Sequence, residues 1–291
     1  MDEDRVRDRE LAEVDLAEAR KPASRILEQL VEEGKGEIER RNRNLLITGF
    51  EAGLEVGLGV FMMAVTLTYA DNILPKPIVE FFLAHMYTIG FIFVILGRSE
   101  LFTEHTTIAV LPVLNRKANL AELARLWAVI YIANLAGTAV FAIIAALTGP
   151  GLGIVDPPAF GQLAHRMVDH SWWVIFLSAI LAGWMMGLLA WMVTAARDTI
   201  SQVAVIWLVT SAIGFSGLHH VISGSVEVLV GLFAHQGITW WDYGYFLLWA
   251  TLGNSIGGAI FVAALKNSYV MEEKERKADK RETKPGKELL P

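Results

Sequence analysis

The stretch GFSGLHHVISGSVEVLVGLF, residues 214–233, lies inside a run as apolar as a membrane span, yet its centre carries His219, His220, Glu227 and several serines and glycines. Ionisable residues are rare within membrane segments and tend to face a cavity. Glycines among them loosen the helix, and irregular backbone at membrane depth survives only where protein buries it or where it lines a wet cavity. The stretch therefore reads as an interrupted membrane helix beside a pore.

The rest of the chain fits a membrane protein. Of its 291 residues, 54% are hydrophobic, the mean hydropathy is +0.43, and the apolar residues are gathered into long runs. Six apolar segments stand out at roughly 44–70, 79–114, 120–148, 171–196, 200–234 and 242–266. They define three regions. Residues 1–43 form a cytoplasmic N-terminal segment, 44–270 an all-α transmembrane domain, and 271–291 a charged cytoplasmic tail. Arg40, Arg41 and Arg43 precede the first segment, Arg116, Lys117 and Arg125 follow the second, Arg197 the fourth, and Lys266, Lys274 and Arg276 the sixth. The alternate loops hold only Lys76 and Arg166, so both termini are expected on the cytoplasmic side of a multi-pass inner-membrane protein. The start, MDEDRVRDRE, lacks an apolar core, and no cleavable signal is expected.

Other classes drop out. No basic patch with interleaved aromatics marks a nucleic-acid surface. With no cysteine there is no disulfide, thiol nucleophile or thiolate-held metal. A His/Glu metal site at His219, His220, Glu227, Glu104 and His105 lacks any recognised ligand spacing. No phosphate-binding loop or nucleophile–base pair is visible, so neither an enzyme nor a cofactor is expected.

Two segments, 79–114 and 200–234, would exceed ~50 Å as straight helices, against a hydrocarbon core of ~30 Å. Each holds a polar cluster, GRSELFTEHT at 97–106 and GLHHVISGS at 217–225, where a break is expected. The halves also echo each other. NLAGTAVF (134–141) and NSIGGAIF (254–261) match at an offset of 120, as do Gly97 and Gly217; AGLEVGL (52–58) and AGWMMGL (182–188) match at 130. Three spans per half make an inverted 3+3 repeat, with broken helices 2 and 5 meeting near the midplane. Outside the spans, SRILEQLVEEGKGEIERR (24–41) predicts a short amphipathic helix with Ser24 as its cap and Ile26, Leu27, Leu30 and Val31 as its apolar stripe. Residues 149–163 predict a Gly/Pro-rich outer loop, and EEKERKADKRETKPGKELLP (272–291) a frayed tail.

SELFT (99–103), AGWMMGLLAW (182–191), GLHHVIS (217–223) and TLGNSIGGAIFV (251–262) resemble the formate/nitrite transporter family of bacterial inner-membrane anion channels, in particular a divergent branch of it. The resemblance covers about 44–270. It implies an aquaporin-like protomer of six helices, assembled as a homopentamer with one pore per protomer. By position it implies that His220 is the central pore histidine and Thr103 its hydrogen-bonding threonine. Leu101, Phe102, Phe91 and Ile213 fall at or near the apolar constrictions, and Arg166 is the basic residue of the outer vestibule. Departures from the family pattern stand at His219 and Gly224, at Gly183, in LFTEH, and at Glu51 and Glu55.

The chemistry suits a weak acid. A bare carboxylate cannot cross a dry constriction, whereas an imidazole can donate to the anion or lend it a proton. Helix N-termini at the breaks add anion attraction. Glu51 and Glu55, four residues apart, share a helix face, with Glu51 placed to pair with Arg43. Glu100 is expected to hold the broken loop, Glu104 to pair with His105, and Glu227 to pair with a histidine. Glu55, Glu104 and Glu227, if they face the lumen ionised, would repel an anion and favour a pore for a neutral or cationic solute instead. A non-conducting scaffold with partner-recruiting tails is the reading from another class. Trp172, Trp173, Trp240 and Trp241 fit an interfacial belt, and Asn134 and Asn254 read as helix-packing residues.

Overall fold

Long apolar runs can satisfy their backbone only internally, which favours helix wherever glycine or a polar cluster does not intervene. The computed structural model describes residues 21–70 and 73–282, and the described chain is all-helical. In chain order the helices are α1 (Ala23–Glu39), α2 (Asn42–Ala70), α3 (Lys76–Gly97), α4 (Phe102–Ile108), α5 (Val110–Leu114) and α6 (Leu120–Gly151). There follow α7 (Pro157–Val168), α8 (Trp172–Ala195), α9 (Thr199–Phe215), α10 (Val221–Phe233), α11 (Trp240–Ile256), a π-helical stretch (Gly257–Ala264) and α12 (Leu265–Glu282). Among the described residues five helices are long and apolar enough to cross a membrane: α2, α3, α6, α8 and the continuous run Trp240–Glu272. Where the sequence predicts a fifth span, two shorter apolar helices stand, α9 and α10. Large apolar side chains such as Ile132, Leu147, Ile200 and Trp241 project outward, the reverse of a water-facing surface.

The echo between halves is a repeated contact. Helices α2 and α6 cross where Gly53 meets the carbonyl of Asn134 and Gly137 meets that of Phe50; a Cβ there would lie 2.3 and 2.2 Å from those oxygens. Helix α8 crosses α11 and the π-helical stretch in the same way, Gly183 against the carbonyl of Asn254 and Gly257 against that of Ile180, both at 2.2 Å. No side chain fits at either crossing.

The interruptions are built alike but not at the expected register. Arg98 (φ 61°) and Gly217 (φ 61°) are the left-handed residues that end α3 and α9. The next amides, Ser99 and Leu218, donate back to Val94 and Ile213, the pattern of a Schellman cap. The matching residues are therefore Arg98 and Gly217, at an offset of 119, rather than Gly97 and Gly217. Arginine in this conformation costs ~1–2 kcal/mol that glycine avoids.

Three local expectations are corrected. Helix α1 begins at Ala23 with Pro22 in the cap position and no side-chain cap, so Ser24 lies inside the helix. Its stripe Ile26, Leu27, Leu30 and Val31 is buried as expected. Much of 149–163 is helical: α6 runs through Pro150 to Gly151, and α7 opens on Pro157 and Pro158. Proline at the first helical position loses only an amide that would lack a partner anyway. The charged tail is helical to Glu282, and its remaining residues lie outside the described ones.

Gly53→Leu and Gly183→Leu should each prevent a helix crossing from closing, lowering stability by ~1–3 kcal/mol or more. Gly36→Ala, where a Cβ meets nothing within 4 Å, should instead raise it by up to ~1 kcal/mol. Thermal unfolding of the detergent-solubilised protein reads both; equal effects would contradict the crossing geometry.

Candidate functional site

Each interruption exposes backbone groups that a buried environment cannot solvate, and one asparagine answers each. Asn134 Oδ1 accepts from the Phe102 amide at 2.8 Å, while its Nδ2 donates to the carbonyls of Gly49 (2.7 Å) and Glu100 (2.8 Å). Asn254 Oδ1 accepts from the Val221 amide at 2.7 Å, and its Nδ2 donates to the carbonyls of Ala179 (2.7 Å) and His219 (2.9 Å). Both side chains are fully buried. These asparagines do more than pack helices, as the sequence had them doing: they hold the helix restarts in place.

The restarts bring the predicted pair together. Leu101 and His220 are the N-cap residues of α4 and α10, with nearly identical backbone angles. Thr103 Oγ1 lies 2.6 Å from His220 Nε2, with both side chains buried. The amide of Ser223 donates to His220 Nδ1 at 3.2 Å, so that nitrogen is an acceptor. The neutral imidazole therefore carries its proton on Nε2 and donates to Thr103, leaving the threonine hydroxyl proton free. Ser223 Oγ lies 3.2 Å from the same Nδ1 and 2.7 Å from the Tyr87 hydroxyl. Phe91 meets His220 edge-on at 5.1 Å.

The sequence pattern of the formate/nitrite transporter family matches residues 24–267. The chain belongs to the formate/nitrite transporter family. Inner membrane protein YfdC of Escherichia coli (strain K12) is 31% identical over 280 residues, covering 92% of this chain and 87% of the relative. The nitrite transporter NirC of Salmonella typhimurium (strain LT2) is 28% identical over 239 residues, covering 80% and 86%. Among solved structures, an FNT family ion channel aligns with a TM-score of 0.76 at 24% identity, covering 84% of this chain and 98% of that one. A pentameric formate channel with formate bound aligns with a TM-score of 0.66 at 21% identity, covering 79% and 98%. At these identities the two structures bear on fold alone.

The remaining residues singled out in this family member fall into three places. Leu101 and Ile213 are fully buried; Phe102 is buried too, its ring packed edge-on against Trp127 and Tyr131. Glu100 lines a cavity of about 900 Å³ under α1 together with Glu37, Arg40, Ser99, Glu104 and His105, among others. Its carboxylate accepts from Arg40 at the end of α1 and pairs with His105 Nε2. Partial burial and the nearby Glu100 charge push the Glu37 carboxyl above its usual range. The expected Glu104–His105 pair is thus corrected: His105 turns to Glu100, whose carboxylate already anchors Arg40. Arg166 makes a two-pronged pair with Glu80 at 2.8 and 2.9 Å, on a cavity of about 490 Å³ lined by Lys76, Glu80, Gln162, His165, Arg166 and His170. Asp169 bonds His165 and holds its imidazole above the ordinary range.

The other carboxylates stand apart from the pair. Glu227 is buried on α10 and bonds neither histidine, because His220 is engaged by Thr103 and Ser223, and His219 by Ser178. Glu55 sits against Gly97 and Ser99 at the first interruption, with Oε2 and Ser99 Oγ both lacking partners. Glu51 is exposed and is not ion-paired with Arg43, so the two glutamates part company on α2. Sequence reasoning missed Tyr87, Ser178 and Ser223 as supporting residues. Ser223, three residues after an N-cap histidine, was the one legible signal among them.

Asn134→Leu or Asn254→Leu removes three hydrogen bonds in each case. Each buried group left unpaired costs ~1–3 kcal/mol. Both variants should unfold well below the wild type in a detergent melt, and Asn254→Leu should also lose whatever transport His220 supports. A variant with wild-type melting would refute the clamp.

Proposed function

We propose that the protein is a homopentameric inner-membrane channel or proton-linked transporter for small monovalent weak-acid anions, formate- or nitrite-like, or their neutral acids. In this reading each protomer has six spans arranged as an inverted 3+3 repeat, with α3–α5 and α9–α10 as the broken second and fifth spans. Both termini are cytoplasmic, and the pore passes Thr103 and His220. The observation that carries it is the 2.6 Å contact between those two side chains, each at the restart of an interrupted helix and each from a different half. The relatives named as transporters and the formate-bound channel of similar fold support it. Phe91, Ile213, Leu101 and Phe102 supply apolar walls near the pair, Glu100 steadies the first interruption, and Arg166 faces the outer mouth. His219 lies beside His220 on the outer side, and Glu55, Glu104 and Glu227 set the polarity of the flanking regions.

The chemistry follows from the tautomer. A dry constriction strips the anion of water at a cost far above what one hydrogen bond returns. The Thr103 hydroxyl, whose proton the pair leaves free, is the donor placed to meet it, and the His220 Nε2–H joins it only by letting go of Thr103. In this state His220 donates a hydrogen bond rather than a proton. To lend a proton it must first gain one on Nδ1, and then Ser223 has to turn its donors away. Protonation of the solute is thereby tied to the Tyr87–Ser223 pair behind the ring.

The carboxylates around the inner cavity favour a second reading, a pore for a small neutral or cationic solute, since Glu37, Glu100 and Glu104 all line that cavity. Flux in proteoliposomes separates the two. Formate or nitrite uptake is expected to fall by about tenfold or more in His220→Ala and Thr103→Ala and to be largely kept in Thr103→Ser, which retains the hydroxyl. Uptake indifferent to all three, together with swelling in uncharged solutes, would establish the second reading.

A further inference from the structure

The repeat extends beyond the helix crossings to a pair of three-residue clusters. In the inner half, Arg40 at the end of α1, Thr48 on α2 and Glu100 at the first interruption meet: Arg40 pairs with Glu100, and the Glu100 amide donates to the Thr48 carbonyl at 3.3 Å. Adding 130 to the first two and 119 to the third gives His170, Ser178 and His219. These three meet as well. The rings of His170 and His219 are 5.5 Å apart and 77° to each other, and the His219 amide donates to Ser178 Oγ at 3.1 Å. Helix α7 lies over the second interruption as α1 lies over the first. One scaffold thus carries a carboxylate under α1 and an imidazole under α7.

The imidazole is left one bond short. Ser178 Oγ also lies 2.8 Å from His219 Nδ1. Because that oxygen already accepts the His219 amide, its hydroxyl proton has Nδ1 as its acceptor among the described residues. The alternative assignment would orphan both the serine proton and Nε2, whereas this one orphans Nε2–H alone. That nitrogen is buried without a partner on a side chain only 2% exposed; the nearby Met167 carbonyl does not close a hydrogen bond to it. A buried donor without an acceptor is costly, and an oxygen that supplies one is held.

We propose that His219, fixed by Ser178 and faced by His170, forms a binding site for a small oxyanion between the outer cavity and the Thr103–His220 pair. The surroundings select the charge. On the outer cavity Lys76 has no ion pair among the described residues, Arg166 holds Glu80 in its guanidinium, and His165 holds Asp169, so these two carboxylates are already engaged. Glu227, the one buried carboxylate on α10, is not bonded to the ring. The inner counterpart, with Glu100 in the place of His219, offers an anion nothing comparable. The site deepens the transport reading and rests on it for the choice of solute.

The test titrates purified protein in nanodiscs with sodium formate and, separately, sodium nitrite, following the anion's exchange broadening by carbon-13 or nitrogen-15 resonance. His219→Phe should weaken binding by about tenfold or more, Ser178→Ala by less, and His219→Gln, which keeps a side-chain donor, least. His220→Ala should lose flux, and whatever anion binding it keeps should disappear when His219→Phe is added. Nitrogen-15 spectra of the histidines should place the His219 proton on Nε2, and Ser178→Ala should release that preference. Binding unchanged in a folded His219→Phe protein, or absent from the wild type, overturns the site. Loss of binding in His219→Phe alongside flux indifferent to His220→Ala would keep the site and discard the conduction reading.

Discussion

A helix that stops and restarts inside an apolar core leaves the ends of two segments with carbonyls and amides that no water can reach. Two buried asparagine amides resolve this. An asparagine side chain offers one acceptor oxygen and two N–H donors, and at both sites the oxygen takes the amide of a restarting helix while the nitrogen bonds two carbonyls. The same residues stand at close helix crossings, where Gly53 and Gly183 press on the carbonyls of Asn134 and Asn254. Shape and polarity are therefore locked at one point in each half. Remove that lock and Leu101 and His220 no longer cap their helices, and Thr103 has no fixed partner.

Much of this was legible as pattern and little of it as chemistry. Apolar runs longer than a bilayer needs, broken by polar clusters, locate the interruptions, because a run of that length cannot span as one rod. The spacing N-x-x-G against A-G-x-x-x-G-L locates the crossings, because only glycine tolerates a carbonyl at 2.2 Å. The asparagines' three bonds were invisible: their partners lie on other helices, and nothing in the neighbouring sequence marks them. The same holds for His105, whose sequence neighbour Glu104 looked like its partner. In space Glu100, in the interruption before α4 begins, reaches it while also anchoring Arg40 from α1. The offset slipped by one residue for a related reason. Gly97 and Gly217 are the visible glycines, but the left-handed turn in the inner half is made by Arg98, which no propensity argument would choose.

That arginine also says what the repeat is for. The backbone at the two interruptions is nearly superimposable: the caps have φ of −98° in both, and the turns φ of 61° in both. The side chains on it are not alike. Arg98 stands opposite Gly217, Glu100 opposite His219, Leu101 opposite His220, and Thr103 opposite Ile222. When the asparagines and glycines carry the architecture, these positions are released from it, and the two halves can be made chemically different at little cost to the fold.

That difference bears on the proposed pore. With identical halves, a solute would meet the same groups in reverse order, and the Thr103–His220 contact would be doubled by a second one between a threonine at position 222 and a histidine at position 101. The chain instead makes that contact once, a hydroxyl from one half against an imidazole from the other, with Leu101 and Ile222 at the equivalent positions. It also lines the cavity under α1 with Glu33, Glu37, Glu100 and Glu104 beside Arg40 and Arg98, while Lys76, His165, Arg166 and His170 outnumber Glu80 at the other cavity. On the proposed path, an anion entering beside Arg166 meets these cations before the apolar walls at the central pair, and glutamates as well as arginines beyond it. In that proposal, a solute that has become neutral is spared repulsion by those carboxylates, and the polarity of the two cavities is then a reason for coupling the solute to a proton.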